Sequence, residues 1–133
     1  MSNNLYNILV PVDFTGKNKW AITKAIELSN SFNCNIHLVY VAGKNQSLFL
    51  RDGSTEVALK KLEQVKARYQ KQLCGEGTLE ISVLRGNKQK QLTSYIKQYE
   101  MDLVVTGLSK FNVVQLIISS VSISRIKKKT NIP

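Results

Sequence analysis

Residues 5–15, LYNILVPVDFT, form an apolar run rich in β-branched residues, from which the fold can be worked out. Its apolar residues are too closely spaced for a strand with one exposed face: Leu5, Ile8, Leu9, Val10 and Val12. The pattern therefore predicts a strand covered on both faces, which is typical of the centre of a parallel sheet. Pro11 cannot donate to a sheet ladder, so hydrogen bonding on one side should end there. Asp13 then lies at the carboxyl end of the strand, where open α/β sheets bind ligands.

Length and amino-acid composition limit the kind of protein that this chain can be. With 133 residues, of which 43% are hydrophobic and 21% charged, the chain is expected to form one ordinary globular domain. No apolar run approaches the roughly 20 residues of a membrane span, and residues 1–7 lack the features of a secretory signal. We therefore expect a cytoplasmic protein with no membrane partner. Cys34 and Cys74 lie outside any CxxC or Cys/His cluster, which predicts two unpaired, buried thiols.

The charge balance favours anionic partners. Nineteen Lys and Arg against nine Asp and Glu give a net charge of +10. Nucleotides, nucleic acid, acidic proteins and membrane surfaces all fit such a charge, which does not choose among them. The basic residues are spread over several predicted elements, and no alternation of aromatic and basic residues marks a nucleic-acid face. Nucleic acid is therefore not the favoured partner.

The rest of the chain alternates helices and strands. Helical spacing predicts a helix after Gly16, with Thr15 as its candidate cap, and residues 35–42 read as a second strand. Residues 43–54 are predicted as a loop, followed by a helix capped by Ser54 or Thr55. Residues 79–84 alternate as an edge strand does, a third helix follows Asn87, and residues 102–106 form a fourth strand. A last helix is predicted over residues 113–126, although its many β-branched residues disfavour helix. This order predicts a doubly wound parallel sheet with helices on both faces and no visible fifth strand.

Several segments, in order, resemble the universal stress protein family. They are NILVPVDFT, AITKAIELSNSF, IHLVYV, Gly86, MDLVVTGLS and LIISSVSISRIKKKTNIP. The resemblance covers nearly the whole chain and implies an adenine nucleotide alpha hydrolase-like sheet of strand order 3-2-1-4-5. It implies a nucleotide site at the switch point between the first and fourth strands. It also implies a fifth strand after Pro133, so residues 1–133 are expected to be one domain truncated at its C-terminal strand. The family often dimerises through that strand, which implies a homodimer or a second similar domain.

The resemblance also assigns residues to the nucleotide. The phosphate loop of the ATP-binding members has the pattern G-x2-G-x9-G-[ST], in which glycines let backbone N–H groups approach the phosphates. Gly107 fits the first glycine, but the other two positions hold Lys110 and Ser119. The complete set implied for nucleotide binding is Pro11, Val12, Asp13, Val41, Gly107, Lys110, Ser119 and Ser120.

Each of these assignments has a structural alternative. Asp13 would accept from ribose hydroxyls, or it caps the first helix or a turn. Lys110 would neutralise a phosphate, or it is an ordinary solvated lysine. Ser119 and Ser120 would donate to a phosphate, or they cap a helix.

Two functions remain open from the sequence. One is a nucleotide-binding stress-response or signalling protein that takes ATP or AMP, with Mg²⁺ accompanying the nucleotide and at most slow hydrolysis. The other is an interaction module of the same fold that binds no nucleotide and acts through dimerisation or a protein partner. Non-specific nucleic-acid binding is a third, less favoured hypothesis, and it predicts steep salt dependence. His37 has no triad or metal pattern around it in the sequence, so we predict a structural role and no catalytic residue.

Overall fold

The apolar run near the N-terminus forms the central strand of a five-stranded sheet in the computed structural model, which describes residues 5–14, 16, 18–43, 53–107 and 112–116. The strands are β1 Tyr6–Pro11, β2 Cys34–Ala42, β3 Thr78–Arg85, β4 Leu103–Gly107 and β5 Asn112–Leu116. The helices are α1 Lys19–Phe32, α2 Gly53–Gln70 and α3 Lys88–Gln98. The helix predicted after residue 54 thus begins at Gly53, and the other predicted elements up to β4 lie within a few residues of their expected bounds.

The strand order is β3-β2-β1-β4-β5. β1 is parallel to both of its neighbours, with Ile8 opposite Ile36 on β2 and opposite Leu103 on β4. β3 is parallel to β2 and lies at the edge of the sheet, as its alternating sequence predicted. The doubly wound arrangement predicted from the sequence is therefore confirmed.

The region after β4 corrects one prediction. Residues 112–116 form a strand antiparallel to β4, with Gly107 opposite Asn112 and Leu103 opposite Leu116. The prediction of a helix starting at residue 113 is therefore wrong for residues 113–116. The parallel fifth strand implied by the resemblance is not seen among the described residues. Instead, β5 covers the outer edge of β4, which the sequence analysis left unpaired.

Helices cover the two faces of the sheet through two separate apolar clusters. Even-numbered residues of β1, such as Ile8 and Val10, pack with α1 and α2, where Ala25 and Leu62 are fully buried. Leu9 points to the opposite face, where it packs with three buried residues of the α3 side: Val39, Tyr95 and Met101. This alternation is expected for a strand covered on both faces.

The start of β4 is held by a buried carboxylate. Asp102 is fully buried, and its Oδ2 accepts a 2.8 Å hydrogen bond from the backbone N–H of Asn7. The backbone N–H of Asp102 in turn donates to the carbonyl of Asn7 over 2.8 Å. The pair continues the β1–β4 contact toward the amino ends of the two strands.

Two further findings concern the cysteines and the helices. Cys34 is buried as predicted, whereas the prediction of a buried Cys74 is wrong: Cys74 lies beyond the end of α2, where its backbone N–H donates to Oδ1 of Asn30 on α1 over 2.8 Å and its side chain stays at the surface. Within the described part of the chain, no helix is long and apolar enough to cross a membrane.

Candidate functional site

Pro11 ends the pairing of β1 with β4, as the sequence predicted. In a parallel ladder a residue directs its N–H and C=O toward the same neighbouring strand, and successive residues alternate between neighbours. The backbone N–H of Val12 donates to the carbonyl of Val39 on β2 over 2.9 Å. The backbone nitrogen of the preceding residue, Pro11, therefore faces β4. The register with β4 stops at Leu9, whereas the register with β2 continues to Pro11. The missing N–H of Pro11 therefore opens the sheet on the β4 side.

The turn after Pro11 is clamped by a side chain that the sequence analysis missed. Asn18 is 7% exposed, and its Oδ1 accepts a 2.8 Å hydrogen bond from the backbone N–H of Asp13. Its Nδ2 donates to the carbonyl of Pro11 over 3.3 Å. Asn18 occupies the N-cap position of α1 but makes no capping hydrogen bond with its side chain. The side chain thus fixes the loop that carries Asp13, which is exposed at the rim.

β2 runs further toward the rim than β1 does. The carbonyl of Val39 accepts a hydrogen bond from the backbone N–H of Val12, so the backbone polar groups of Val39 face β1. Those of Val41, two residues later, face the same side. Ala42 is directed toward β3, where its carbonyl accepts from Gly86 over 2.9 Å. The register of β1 with β2 ends at Val39, so the N–H and C=O of Val41 face the space that β1 leaves when it turns away.

Gly107 approaches the same rim from β4. Leu9 lies opposite Val104, and continuing this parallel register by three residues brings Gly107 level with Val12. Gly107 is buried and is the last residue of β4. The structure therefore places Pro11, Val12, Asp13, Val41 and Gly107 at one edge of the sheet. The other predicted site residues, Lys110, Ser119 and Ser120, lie outside the described residues, as does the candidate cap Thr15.

A basic groove adjoins this edge on the side of α1 and α2. The cavity has a volume of about 430 Å³ and reaches from Val12 and Asn18 to three cationic side chains, those of Lys19, Lys61 and Arg68. The Nζ of Lys61 lies 5.4 Å from the centroid of the Phe14 ring. The backbone of Phe14 has a φ of 63°. No carboxylate lines the groove among the described residues. No sequence pattern predicts this groove, because it depends on how α1 and α2 pack together.

The chemistry available at the edge is that of binding. It combines an exposed carboxylate, backbone donor and acceptor groups at Val41, a glycine, and an adjacent cationic groove. In the described ranges, no group of three or more His, Cys, Asp or Glu side chains is placed to hold a metal ion.

Comparison with known proteins identifies the fold. A universal stress protein from Lactobacillus plantarum, UspA, is 21% identical, with 96% of this chain and 94% of that chain covered at a TM-score of 0.66. A universal stress family protein from Burkholderia pseudomallei is 18% identical, with coverages of 96% and 92% and a TM-score of 0.63. A universal stress protein solved in complex with cAMP is 11% identical, with coverages of 77% and 75% and a TM-score of 0.60. At these identities the similarity shows a shared fold.

The sequence itself gives the family. A search of curated protein sequences finds no significant match. The family model described as "Universal stress protein family", however, matches residues 5–130. Since that match spans almost the entire sequence, the chain belongs to the universal stress protein family.

Proposed function

We propose that this protein binds an adenine nucleotide, ATP or AMP, at the carboxyl edge of the sheet between β1 and β4, and that it acts in stress response or signalling. The observation that carries the proposal is the early end of β1. Because β1 stops pairing with β4 at Leu9 while β2 continues to Ala42, the backbone of Val41 and the carboxylate-bearing Asp13 border one crevice. Ligands of open α/β sheets bind in such a crevice, where the strand order reverses.

The groups around the crevice match the parts of a nucleotide. The N–H and C=O of Val41 offer one donor and one acceptor, as the edge of an adenine ring requires. Asp13 is an acceptor for ribose hydroxyls. The cationic groove of Lys19, Lys61 and Arg68 provides a positive field beside the site, which favours a phosphate-bearing ligand. The structural neighbour in complex with cAMP supports an adenine nucleotide as the ligand class.

Magnesium would enter with ATP rather than through a site of the protein. Mg²⁺ is commonly held by substrate phosphates, one or two carboxylates and several waters. Asp13 is the carboxylate at the rim, and the described residues offer no cluster of three metal-binding side chains. We therefore propose that Mg²⁺ accompanies the phosphates and that nucleotide binding changes conformation or assembly, with a homodimer as the proposed assembly.

Equilibrium calorimetry with ATP, ADP and AMP tests this function. We expect the wild-type chain to bind, and we expect Asp13→Ala to weaken binding roughly tenfold to hundredfold, as a lost hydrogen bond to a charged group does. Glu27→Ala is the matched control, because Glu27 is an exposed carboxylate near the far end of α1. Glu27→Ala should bind as the wild type does. Equal affinity of Asp13→Ala and the wild type would contradict the proposed site.

The second candidate function is an interaction module that binds no nucleotide. It is favoured by the phosphate loop, in which Lys110 and Ser119 stand where the family pattern has glycines. A folded wild-type chain that gives no heat with any of the three nucleotides would support this module over a nucleotide-binding protein.

A further inference from the structure

A second cavity lies on the opposite face and toward the opposite end of the sheet. It has a volume of about 520 Å³ and is bordered by residues near the amino ends of β1, β2 and β3 together with the end of α3. Asn7, Asn35 and Thr78 mark these strand beginnings. Odd-numbered β1 residues face α3, so the cavity lies on the α3 face, whereas the basic groove lies on the face of α1 and α2. The two cavities are therefore separate.

Three rings form one wall of this cavity. The ring centroids of Tyr95 and Tyr99 are 4.4 Å apart, and that of His37 lies 5.6 Å from Tyr95 and 5.9 Å from Tyr99. Tyr99 is 44% exposed although it is aromatic, so part of its surface is open to a ligand. The wall is continuous, because each ring lies within contact range of the other two.

Hydrogen bonds hold the wall in place. The Tyr95 hydroxyl lies 2.8 Å from Nδ1 of His37 and 3.2 Å from Oγ of Ser82. Tyr95 is 5% exposed and joins α3 to two strands through these contacts. A ligand would therefore meet His37 and Tyr95 rings whose positions are fixed before binding, which lowers the cost of ordering them.

The amide groups around the cavity donate hydrogen bonds within the protein. Nδ2 of Asn35 donates to Oδ1 of Asn7 over 3.2 Å, and Nδ2 of Asn7 donates to the carbonyl of Tyr99 over 3.1 Å. The hydroxyl of Thr78 donates to Oδ1 of Asn35 over 2.8 Å. Oxygen atoms with further lone pairs remain, so the polar rim suits a ligand that donates hydrogen bonds or carries positive charge.

The charge of the cavity is opposite to that of the chain. Glu80 is exposed, lies directly opposite His37 in the β2–β3 register, and is the single carboxylate among the described lining residues. No lysine or arginine lines the cavity within the same set, although the chain carries a net charge of +10. Burial lowers the pKa of His37, and the nearby Glu80 partly opposes this effect. The imidazole is therefore mainly neutral at neutral pH, and Glu80 sets the sign of the local field.

We infer that this cavity is a binding site for small organic ammonium cations, held against the rings of His37, Tyr95 and Tyr99 and balanced by the Glu80 carboxylate. Aromatic faces attract such cations through the ring quadrupole, and a neighbouring carboxylate adds a favourable charge. A cation in the cavity also disfavours a second positive charge on His37. The site is independent of the nucleotide site at the carboxyl edge.

His37 provides a direct probe, since it is the only histidine in the sequence. Choline is titrated into the folded wild-type chain while the imidazole resonances are followed by NMR. The neutral isostere 3,3-dimethyl-1-butanol is titrated in parallel at the same ionic strength. We expect choline to shift the His37 resonances in a saturable manner and to lower the pKa of His37, and we expect the neutral alcohol to do neither.

Two exposed positions test the residues of the site. Tyr99→Leu removes one ring and Glu80→Gln removes the charge, and each is expected to weaken choline binding about twofold to fivefold. Glu76→Gln, an exposed carboxylate outside the cavity, serves as the control and should bind as the wild type does. The inference is overturned if choline leaves His37 unaffected, if the neutral alcohol shifts it equally, or if neither Tyr99→Leu nor Glu80→Gln weakens binding.

Discussion

His37 shows how one residue can be structural and still titrate. Its Nδ1 is tied to the Tyr95 hydroxyl over 2.8 Å, which agrees with the structural role predicted from the sequence. Burial lowers its pKa below the ordinary value of 6.5, and the Glu80 carboxylate opposes that effect in part. Tyr95 has a raised pKa, mainly because it is buried, so it stays protonated and keeps its hydrogen bonds at neutral pH.

This lowered pKa predicts a pH-dependent stability. Below pH 6.5 the unfolded chain binds a proton at His37 more readily than the folded chain does, so the free energy of unfolding should fall as the pH drops from about 7 to about 5. The contribution of neutral His37 to the free energy of unfolding is fully present above the pKa that His37 has in the unfolded chain. It is lost as the pH falls through the pKa that His37 has in the folded chain. Urea unfolding of the wild type and His37→Gln across this range measures it.

The variant isolates the contribution of one group. His37→Gln keeps a polar side chain but cannot titrate, so its free energy of unfolding should depend less on pH between about 5 and 7. The carboxylates titrate mostly below this range and are the same in both chains. Identical pH dependence of the two chains would show that His37 has no lowered pKa in the folded state.

At the scale of elements, the connection from β1 to α1 carries the most specific prediction. Asn18→Ala removes both hydrogen bonds that fix the turn at Asp13, of 2.8 Å and 3.3 Å. The turn should then order only on binding, and AMP affinity should fall by about fivefold to tenfold, which corresponds to roughly 1 kcal/mol of ordering cost. Calorimetry with AMP measures this loss.

Asn18→Asp is the matched control for the turn. A carboxylate oxygen can still accept from the backbone N–H of Asp13, but it cannot donate to the carbonyl of Pro11. We expect an affinity between those of the wild type and Asn18→Ala. An Asn18→Ala chain that binds AMP as tightly as the wild type would show that the clamp does not organise the site.

The elements differ, for physical reasons, in how far their own sequences determine them. β1, β2 and β4 could be predicted because their dense apolar runs have one stable environment, between two layers. β5 could not, since Val114, Ile117, Ile118 and Val121 recur at helical spacing although their β-branched side chains also suit an extended strand. The uncovered edge of β4 decides between them for residues 112–116, and that edge exists only in the folded sheet.

The candidate site was predictable to the extent that it depends on strand ends. Pro11, Asp13 and Gly107 follow or end apolar strands, so their shared edge could be inferred from chain order alone. Asn18 had a weaker signal, as an Asn directly before a helix, and that signal points to capping rather than to a loop clamp. The groove of Lys19, Lys61 and Arg68 and the rings around His37 join distant segments, so only the packed structure places them together.

At the scale of the whole molecule, the two cavities divide the sheet by charge and by position. The carboxyl edge combines Asp13 with a cationic groove, whereas the cavity near the amino ends is lined by aromatic rings and by Glu80. A net charge of +10 favours an anionic ligand at the carboxyl edge. The cavity near the amino ends differs from the rest of the chain in charge, because Glu80 is the charged residue in its described lining.

The proposed nucleotide site lies where β1 leaves the sheet. Backbone amide mapping by NMR during a titration with AMP tests this position, because it locates the ligand without any substitution. We predict the largest shifts at the amides of Val12, Asp13, Val41 and Gly107, with little change at His37 and Glu80. Shifts centred on the His37 cavity, or no shifts in a folded chain, would contradict a nucleotide site at the carboxyl edge.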